Sequence, residues 1–110
     1  IDEQDIFNVT MNESLAVALL TNLLKNAFVH NIDEGHIRIT VTKNSITFRN
    51  SGVENPLDKE HIFERFYQGT KKEGSTGLGL AIADSICRLQ HLSIRYYFEQ
   101  KEHCFEISRQ

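Results

Sequence analysis

The stretch Gly74-Ser75-Thr76-Gly77-Leu78-Gly79-Leu80 limits the possible structures of this chain more than any other. Its glycines and hydroxyls run directly into Ala81-Ile82-Ala83-Asp84-Ser85-Ile86-Cys87, whose composition suits a helix. Glycine lets the backbone approach a ligand with no β-carbon in the way. A helix N-terminus adds unpaired N–H groups and a partial positive charge, so turn and helix together can hold an anion, phosphate above all. The same pattern also serves a plain helix that starts in a loop. Two common phosphate binders do not fit. No lysine follows the last glycine, as a P-loop requires. The charged segment Gly69-Thr70-Lys71-Lys72-Glu73 stands where a Rossmann unit would have a strand.

Composition narrows the setting. At 110 residues with 40% hydrophobic residues and one proline, the chain is one globular domain with a single core. A net charge of −3 gives no basic footprint and argues against nucleic acid as a partner. The apolar runs are broken well short of a membrane span, and no signal peptide opens the chain. Cys87 and Cys104 have neither metal-site nor disulfide-framework spacing, so buried free thiols in a reducing cytosol are expected. The first residue is Ile1 and not Met, and the chain is expected to be a piece of something longer.

Periodicity predicts an α/β order. Ile6 to Thr10 alternates like a short strand. Asn12 can cap a helix over Glu13 to His30, with Leu15, Leu19, Leu20, Leu23, Leu24 and Ala27 as its apolar stripe. Strands are expected at His36 to Thr42 and Ser45 to Arg49, joined in a tight hairpin at Lys43-Asn44. Asn50 to Thr76 is irregular, with a short helical piece at Asp58 to Phe66. A helix from Gly77 to about Gln90 precedes a second hairpin of strands at Ser93 to Glu99 and Cys104 to Ser108. The irregular middle is long for a small domain. Its glycines and lysines read as a lid that orders over a ligand, or as a tolerated surface insertion.

Asn22 and Asn26, at i and i+4, share one helix face. Asparagine is a poor helix former, so a pair in a Leu-rich helix calls for a reason. Its amide oxygen is a hard ligand suited to Mg²⁺ held among protein, waters and phosphates; the other reading is a solvated polar edge. Asn50-Ser51-Gly52 follows a strand and offers a purine-reading amide, although the same residues are ordinary turn chemistry.

In order along the chain, these pieces resemble the catalytic, ATP-binding domain of sensor histidine kinases, within the Bergerat-fold ATPase superfamily. Asn22-Leu23-Leu24-Lys25-Asn26-Ala27 looks like the family's N box, and Arg49-Asn50-Ser51-Gly52 like its first glycine box. Ile62-Phe63-Glu64-Arg65-Phe66-Tyr67 looks like the F box, and Gly74 to Leu80 like the second glycine box. The resemblance covers nearly the whole chain. It implies a two-layer α/β sandwich, a mixed sheet with three helices on one face and an ATP lid. It also implies γ-phosphoryl transfer from ATP to a histidine on a dimerisation domain absent from this chain.

By the same resemblance the catalytic residues are Asn22, Asn26 and Arg65, with Asn26 ligating Mg²⁺. Nucleotide binding falls to His30, Asn50, Gly52, Lys71, Lys72, Thr76, Gly77, Leu78, Gly79 and Leu80. Of these, Gly77, Leu78 and Gly79 meet phosphate through backbone N–H groups, Asn50 faces adenine, and His30 lies against base or ribose. The F box anchors the lid. The implied partners are the dimerisation and phosphoacceptor domain of the same kinase, a response regulator, and a second protomer of the full-length protein. The implied location is the cytoplasmic side of a membrane-bound sensor.

Three positions depart from the family pattern. Asn50 stands for the usual Asp, Glu54 for the second glycine of the first glycine box, and Val29 for a phosphate-facing lysine, whose charge Lys71, Lys72 or Arg65 could replace. An amide keeps an acceptor oxygen but loses the charge that strengthens such a bond, and by flipping it can meet guanine. Weaker discrimination between ATP and GTP is therefore expected. The histidines (His30, His36, His61, His91 and His103) lack the acceptor pattern and read as surface or site-edge residues. The alternative function is a degenerate, non-catalytic nucleotide-sensing or regulatory module of the same fold. A Bergerat-fold serine kinase or ATPase is a further rival, against which the complete F box argues.

Overall fold

The structure, a computed structural model, describes residues 1–29, 35–52, 56–57, 60–64 and 78–110. Helix α1 covers Glu13–Val29. Asn12 caps it: its Oδ1 accepts the Leu15 N–H at 3.2 Å, and its carbonyl takes the Ala16 N–H at 2.9 Å. Glu13 in the first turn suits the positive end of the helix. Leu19, Leu23 and Ala27, four apart, form the buried row, while Leu15 and Leu24 pack beside it. Leu20, expected in that stripe, is exposed, whereas Leu24, one turn further along the same row, packs against the core.

Helix α2 covers Gly79–Leu89 and buries Ala83, Ile86 and Cys87. Leu78 occupies the cap position without a side-chain bond, and its carbonyl accepts the Ile82 N–H at 2.9 Å. The helix stops where His91 turns left-handed, at φ 57°.

Five strands form one sheet in the order β1-β2-β3-β5-β4. Strand β2 (Ile37–Val41) and strand β3 (Ser45–Asn50) pair antiparallel. At their turn the Thr42 hydroxyl accepts the Asn44 and Ser45 N–H groups at 3.3 and 3.1 Å. Strand β4 (Leu92–Glu99) and strand β5 (Glu102–Arg109) pair antiparallel around Gln100-Lys101, both at positive φ (52° and 62°), a two-residue turn of type I′. Strand β5 therefore begins at Glu102, earlier than the polar sequence led us to place it.

Strand β1 is Asp2–Glu3, parallel to β2. The strand expected over Ile6 to Thr10 is not formed. The Gln4 and Asp5 N–H groups both turn onto the Val41 carbonyl, the Asp5 side chain takes the Ile6 N–H at 2.7 Å, and Ile6 and Val9 are exposed. The chain leaves the sheet edge there, so the alternating residues have no ladder to join.

Alternation gives the sheet two unlike faces. One carries Phe48, Phe105, Ile107, Leu92 and Tyr96, which pack with α1 and α2 into a single core. Burying side chains as large as Phe105 or Leu23 stabilises the fold by roughly 1.5–3 kcal/mol each. The other face is polar: Arg95 pairs with Glu106, Arg49 with Glu99, and Tyr97 lies under the Arg95 guanidinium at 4.9 Å. The result is the expected two-layer sandwich with helices on one face.

The third helical piece, expected over Asp58 to Phe66, is described only at residues 60–64, which form turns with the Glu64 N–H on the His61 carbonyl at 2.9 Å. Asp58, Lys59, Arg65 and Phe66 lie outside the described residues.

Candidate functional site

The site begins where α1 meets the start of α2. Asn22 lies in the helix row beside the buried one, and its Nδ2 donates to the Ala18 carbonyl at 2.8 Å. That bond holds the amide against its own helix and leaves Oδ1 toward Gly79: a β-carbon on Gly79 would stand 3.2 Å from it. A larger residue at this point would push the first turn of α2 away from α1. Asn26, one turn further along the same row, is half-buried. Leu78, Gly79 and Leu80 are also half-buried, at the N-terminal end of α2, where the cap residue Leu78 brings no capping side chain. Asn22 and Gly79 therefore meet across a gap that a β-carbon would make tight, so that the Asn22 side chain would have to shift by a few tenths of an ångström. An amide oxygen beside the N-terminal turn of a helix fits a Mg²⁺–phosphate group in donor chemistry.

The sheet supplies the second part. Asn50 is the last residue of β3, on the core-facing side with Phe48, and only 2% exposed. Its Nδ2 donates to the Ser51 carbonyl at 2.8 Å. Ser51 is tied to His36, the residue before β2: its N–H donates to the His36 carbonyl at 3.2 Å, its hydroxyl to the same carbonyl at 3.3 Å, and the His36 N–H to that hydroxyl at 2.8 Å. Gly52 is buried directly after it.

His103 on β5 is the register partner of Asn50 and only 3% exposed, so it is an interior residue beside Asn50 and not one of the surface histidines. Its Nδ1 lies 2.7 Å from the Tyr96 hydroxyl, which accepts the Leu57 N–H at 2.9 Å. This arrangement lets the phenol donate to Nδ1, the tautomer that carries hydrogen on Nε2. Tyr96 thus links the sheet to the chain that follows Gly52. His36, His61 and His91 are exposed, as expected.

Ile62 of the F box is buried in the core, and Phe63 meets Phe105 edge-on at 6.3 Å between centroids. These two residues fix the near end of the segment expected to form the lid. The other site residues read from the sequence (His30, Arg65, Lys71, Lys72, Thr76 and Gly77) lie outside the described residues, as do Glu54 and the expected lid from Gly69 to Thr76.

Sequence reasoning missed Glu102, His103 and Tyr96. The signal was present: His103, Phe105 and Ile107 alternate as one strand face, but the polar run Gln100 to His103 read as loop. Glu102 is buried on the opposite face. The bidentate Arg38 guanidinium, at 2.6 and 3.1 Å, holds its carboxyl below the usual range, burial works the other way, and His36 at 2.7 Å adds to the lowering. The expected buried thiols are both present; burial, with Asp84 assisting, pushes Cys87 up to about 11. Among the described residues no helix is long and apolar enough to cross a membrane.

Comparison with known proteins identifies the family and the fold. A family model for histidine kinase-, DNA gyrase B- and HSP90-like ATPases matches residues 11–108. The sensor histidine kinase RppB of Synechocystis is 42% identical over 84 residues, covering 68% of this chain and 18% of that protein. The heme sensor protein HssS of Staphylococcus epidermidis is 36% identical over 94 residues, covering 82% and 21%. The chain thus spans about a fifth of the length of these curated relatives. Among solved structures, the nucleotide-free catalytic domain of histidine kinase ThkA superposes with a TM-score of 0.79 at 25% identity, covering 96% of this chain and 73% of that one. The mycobacterial sensor histidine kinase MprB shares the fold, with a TM-score of 0.76 at 18% identity, covering 92% and 77%. With the N box set against the start of α2 and the family match running almost end to end, this chain belongs to the histidine kinase-, DNA gyrase B- and HSP90-like ATPases, in the branch of the sensor histidine kinases.

Proposed function

We propose that this chain is the Mg·ATP-binding catalytic domain of a two-component sensor kinase, which transfers the γ-phosphoryl of ATP to a histidine of a dimerisation domain. The observation that carries the reading is the approach of Asn22 to Gly79, which puts the amide-bearing face of α1 beside the N-terminus of α2. Phosphoryl transfer depends mainly on positioning and charge neutralisation, and these residues are of the types that supply both. Asn26 would hold Mg²⁺, which when bound neutralises phosphate charge, with Asn22 setting the amide row. The N–H groups at Leu78 and Gly79, with Gly77, would receive phosphate oxygens. Asn50 and Gly52 would take the base, and His30 would flank base or ribose. Arg65, Lys71, Lys72 and Thr76 would act from the lid, with Leu80 in the first turn of α2.

The acceptor histidine would belong to a dimerisation domain of the same kinase, working as a homodimer with a response regulator, on the cytoplasmic side of a membrane-bound sensor. A second reading, a degenerate regulatory module that binds nucleotide weakly or not at all, is favoured by Asn50 in place of a carboxylate and by Glu54 and Val29. Calorimetric titration with Mg·ATP separates the two readings. Saturable, Mg²⁺-dependent binding supports the kinase domain, and no heat at millimolar nucleotide supports the degenerate module.

A further inference from the structure

We propose that Glu102 is a positioning residue for the base-binding turn, acting through a clamp that joins β2 to β5 over the end of β3. The proposal rests on the reading of Asn50 as the residue that meets the base. Strand β3 lies between β2 and β5, so groups on those two strands are separated by about 9.5 Å, two strand spacings. Arg38 and His36 nevertheless both reach Glu102. Arg38 Nη2 and Nε donate to Oε1 and Oε2 at 2.6 and 3.1 Å, and His36 Nε2 lies 2.7 Å from Oε2.

The register shows what the clamp passes over. Arg38 pairs with Arg49, Asn50 pairs with Ile37 and His103, and the next residue, Ser51, is bonded to His36. Ser51, which follows Asn50 in register between His36 and Glu102, is small enough for the Arg38, His36 and Glu102 side chains to close above it. On the other face of the same sheet end, His103 beside Glu102 in sequence carries the Tyr96 hydroxyl and, through it, the Leu57 N–H. The chain leaving β3 is therefore held indirectly from consecutive residues of β5: Ser51 is bonded to His36, which Glu102 engages, and Leu57 to Tyr96, which His103 engages. A carboxylate only 4% exposed is tolerated when it is fully paired, and this one has both oxygens engaged. Its pairing converts the end of β3 from a frayed strand terminus into a fixed platform for Asn50.

The test uses Glu102→Gln, which keeps shape and removes charge, and Arg38→Gln, at a half-exposed partner whose loss leaves the core untouched. Binding of Mg·ATP and of magnesium tripolyphosphate is measured for each, together with amide exchange at residues 51 and 52. The expected result is a Kd for Mg·ATP raised about five- to tenfold, the effect of losing a hydrogen bond of ordinary net strength, with tripolyphosphate binding within about twofold of the wild type. Exchange should rise more at residues 51 and 52 than in α1, where it follows only the global loss of stability. Unchanged ATP affinity in both variants overturns the proposal, and so does an equal loss for both ligands, which would mark a general structural role. Should the wild type bind neither ligand, the nucleotide reading fails. Exchange then decides the clamp alone: a rise at residues 51 and 52 beyond that in α1 sustains it, and a rise no greater than that in α1 overturns it.

Discussion

The side-chain oxygen of Asn22 lies 3.2 Å from the point where a β-carbon on Gly79 would stand. Asn22 cannot simply retreat, because its Nδ2 is bonded to the Ala18 carbonyl at 2.8 Å. Helix propensity favours Ala over Gly by up to about 1 kcal/mol, which offsets much of the steric cost to the fold. Gly79→Ala should therefore keep a melting temperature within a few degrees of the wild type while ATP affinity falls roughly tenfold, or about 1.4 kcal/mol. Melting and nucleotide titration on the same preparation check both halves.

Asn50 offers a second test. Its Nδ2 donates to the Ser51 carbonyl at 2.8 Å, so the flip that would let the amide meet guanine breaks an existing bond. The loss of discrimination expected from the sequence is thereby limited. Asn50→Asp should still sharpen the ATP/GTP ratio, since a carboxylate only accepts. It should also destabilise the free protein by about 1–3 kcal/mol, because a donor is replaced by an acceptor facing a carbonyl. Competition binding and urea denaturation of both forms measure the two effects.

Much of this architecture was legible beforehand. The Asn12 cap, the four-residue repeat of α1 and the apolar runs of β2, β3 and β4 are local signals, and each element appears where they point. Strand β1 was not legible, because a strand of two residues has no pattern and Ile6 to Thr10 imitates one. The turn at Gln100-Lys101 was hidden as well: positive φ at both positions is imposed by the two long strands it joins, without the glycine or asparagine that usually marks it. Of the site, the spacing of Asn22, Asn26 and the glycines could be read along the chain. The burial of Glu102 and His103 could not, because it depends on partners in β2, β3 and β4 that only the folded sheet brings together.

Acid should expose the Glu102 clamp. The Arg38 hydrogen bonds hold this carboxyl below its ordinary value of about 4.3. Its contribution to stability is fully present above that ordinary value and is lost as pH falls through the lowered one. Urea midpoints of the wild type should thus fall more steeply on acidification below about pH 4.3 than those of Glu102→Gln. At neutral pH the variant should be less stable by about 1.5–3 kcal/mol, the range for hydrogen bonds to a charged group.

Cys87 should be chemically silent. Burial, with Asp84 assisting, pushes its thiol up to about 11, and the thiolate is the reactive form. Cys104, fully buried, should behave alike, its thiol also raised chiefly by burial. Iodoacetamide should leave both unmodified in the native protein at neutral pH and label both in urea, as mass spectrometry would show.

The central claim is Mg²⁺-dependent ATP binding through the amide row of α1, and Asn26 is its sharpest probe. Asn26 borders the buried row of Leu19, Leu23 and Ala27 without belonging to it, so Asn26→Ala should fold normally. Calorimetric titration of ATP into wild type and variant, each with and without magnesium, measures the claim directly. The account predicts binding by the wild type that magnesium strengthens, and in Asn26→Ala a loss of that magnesium-dependent increment, costing a few kcal/mol, about what removal of a preorganised charge-stabilising group costs. Equal ATP affinity in magnesium for the two proteins would contradict it.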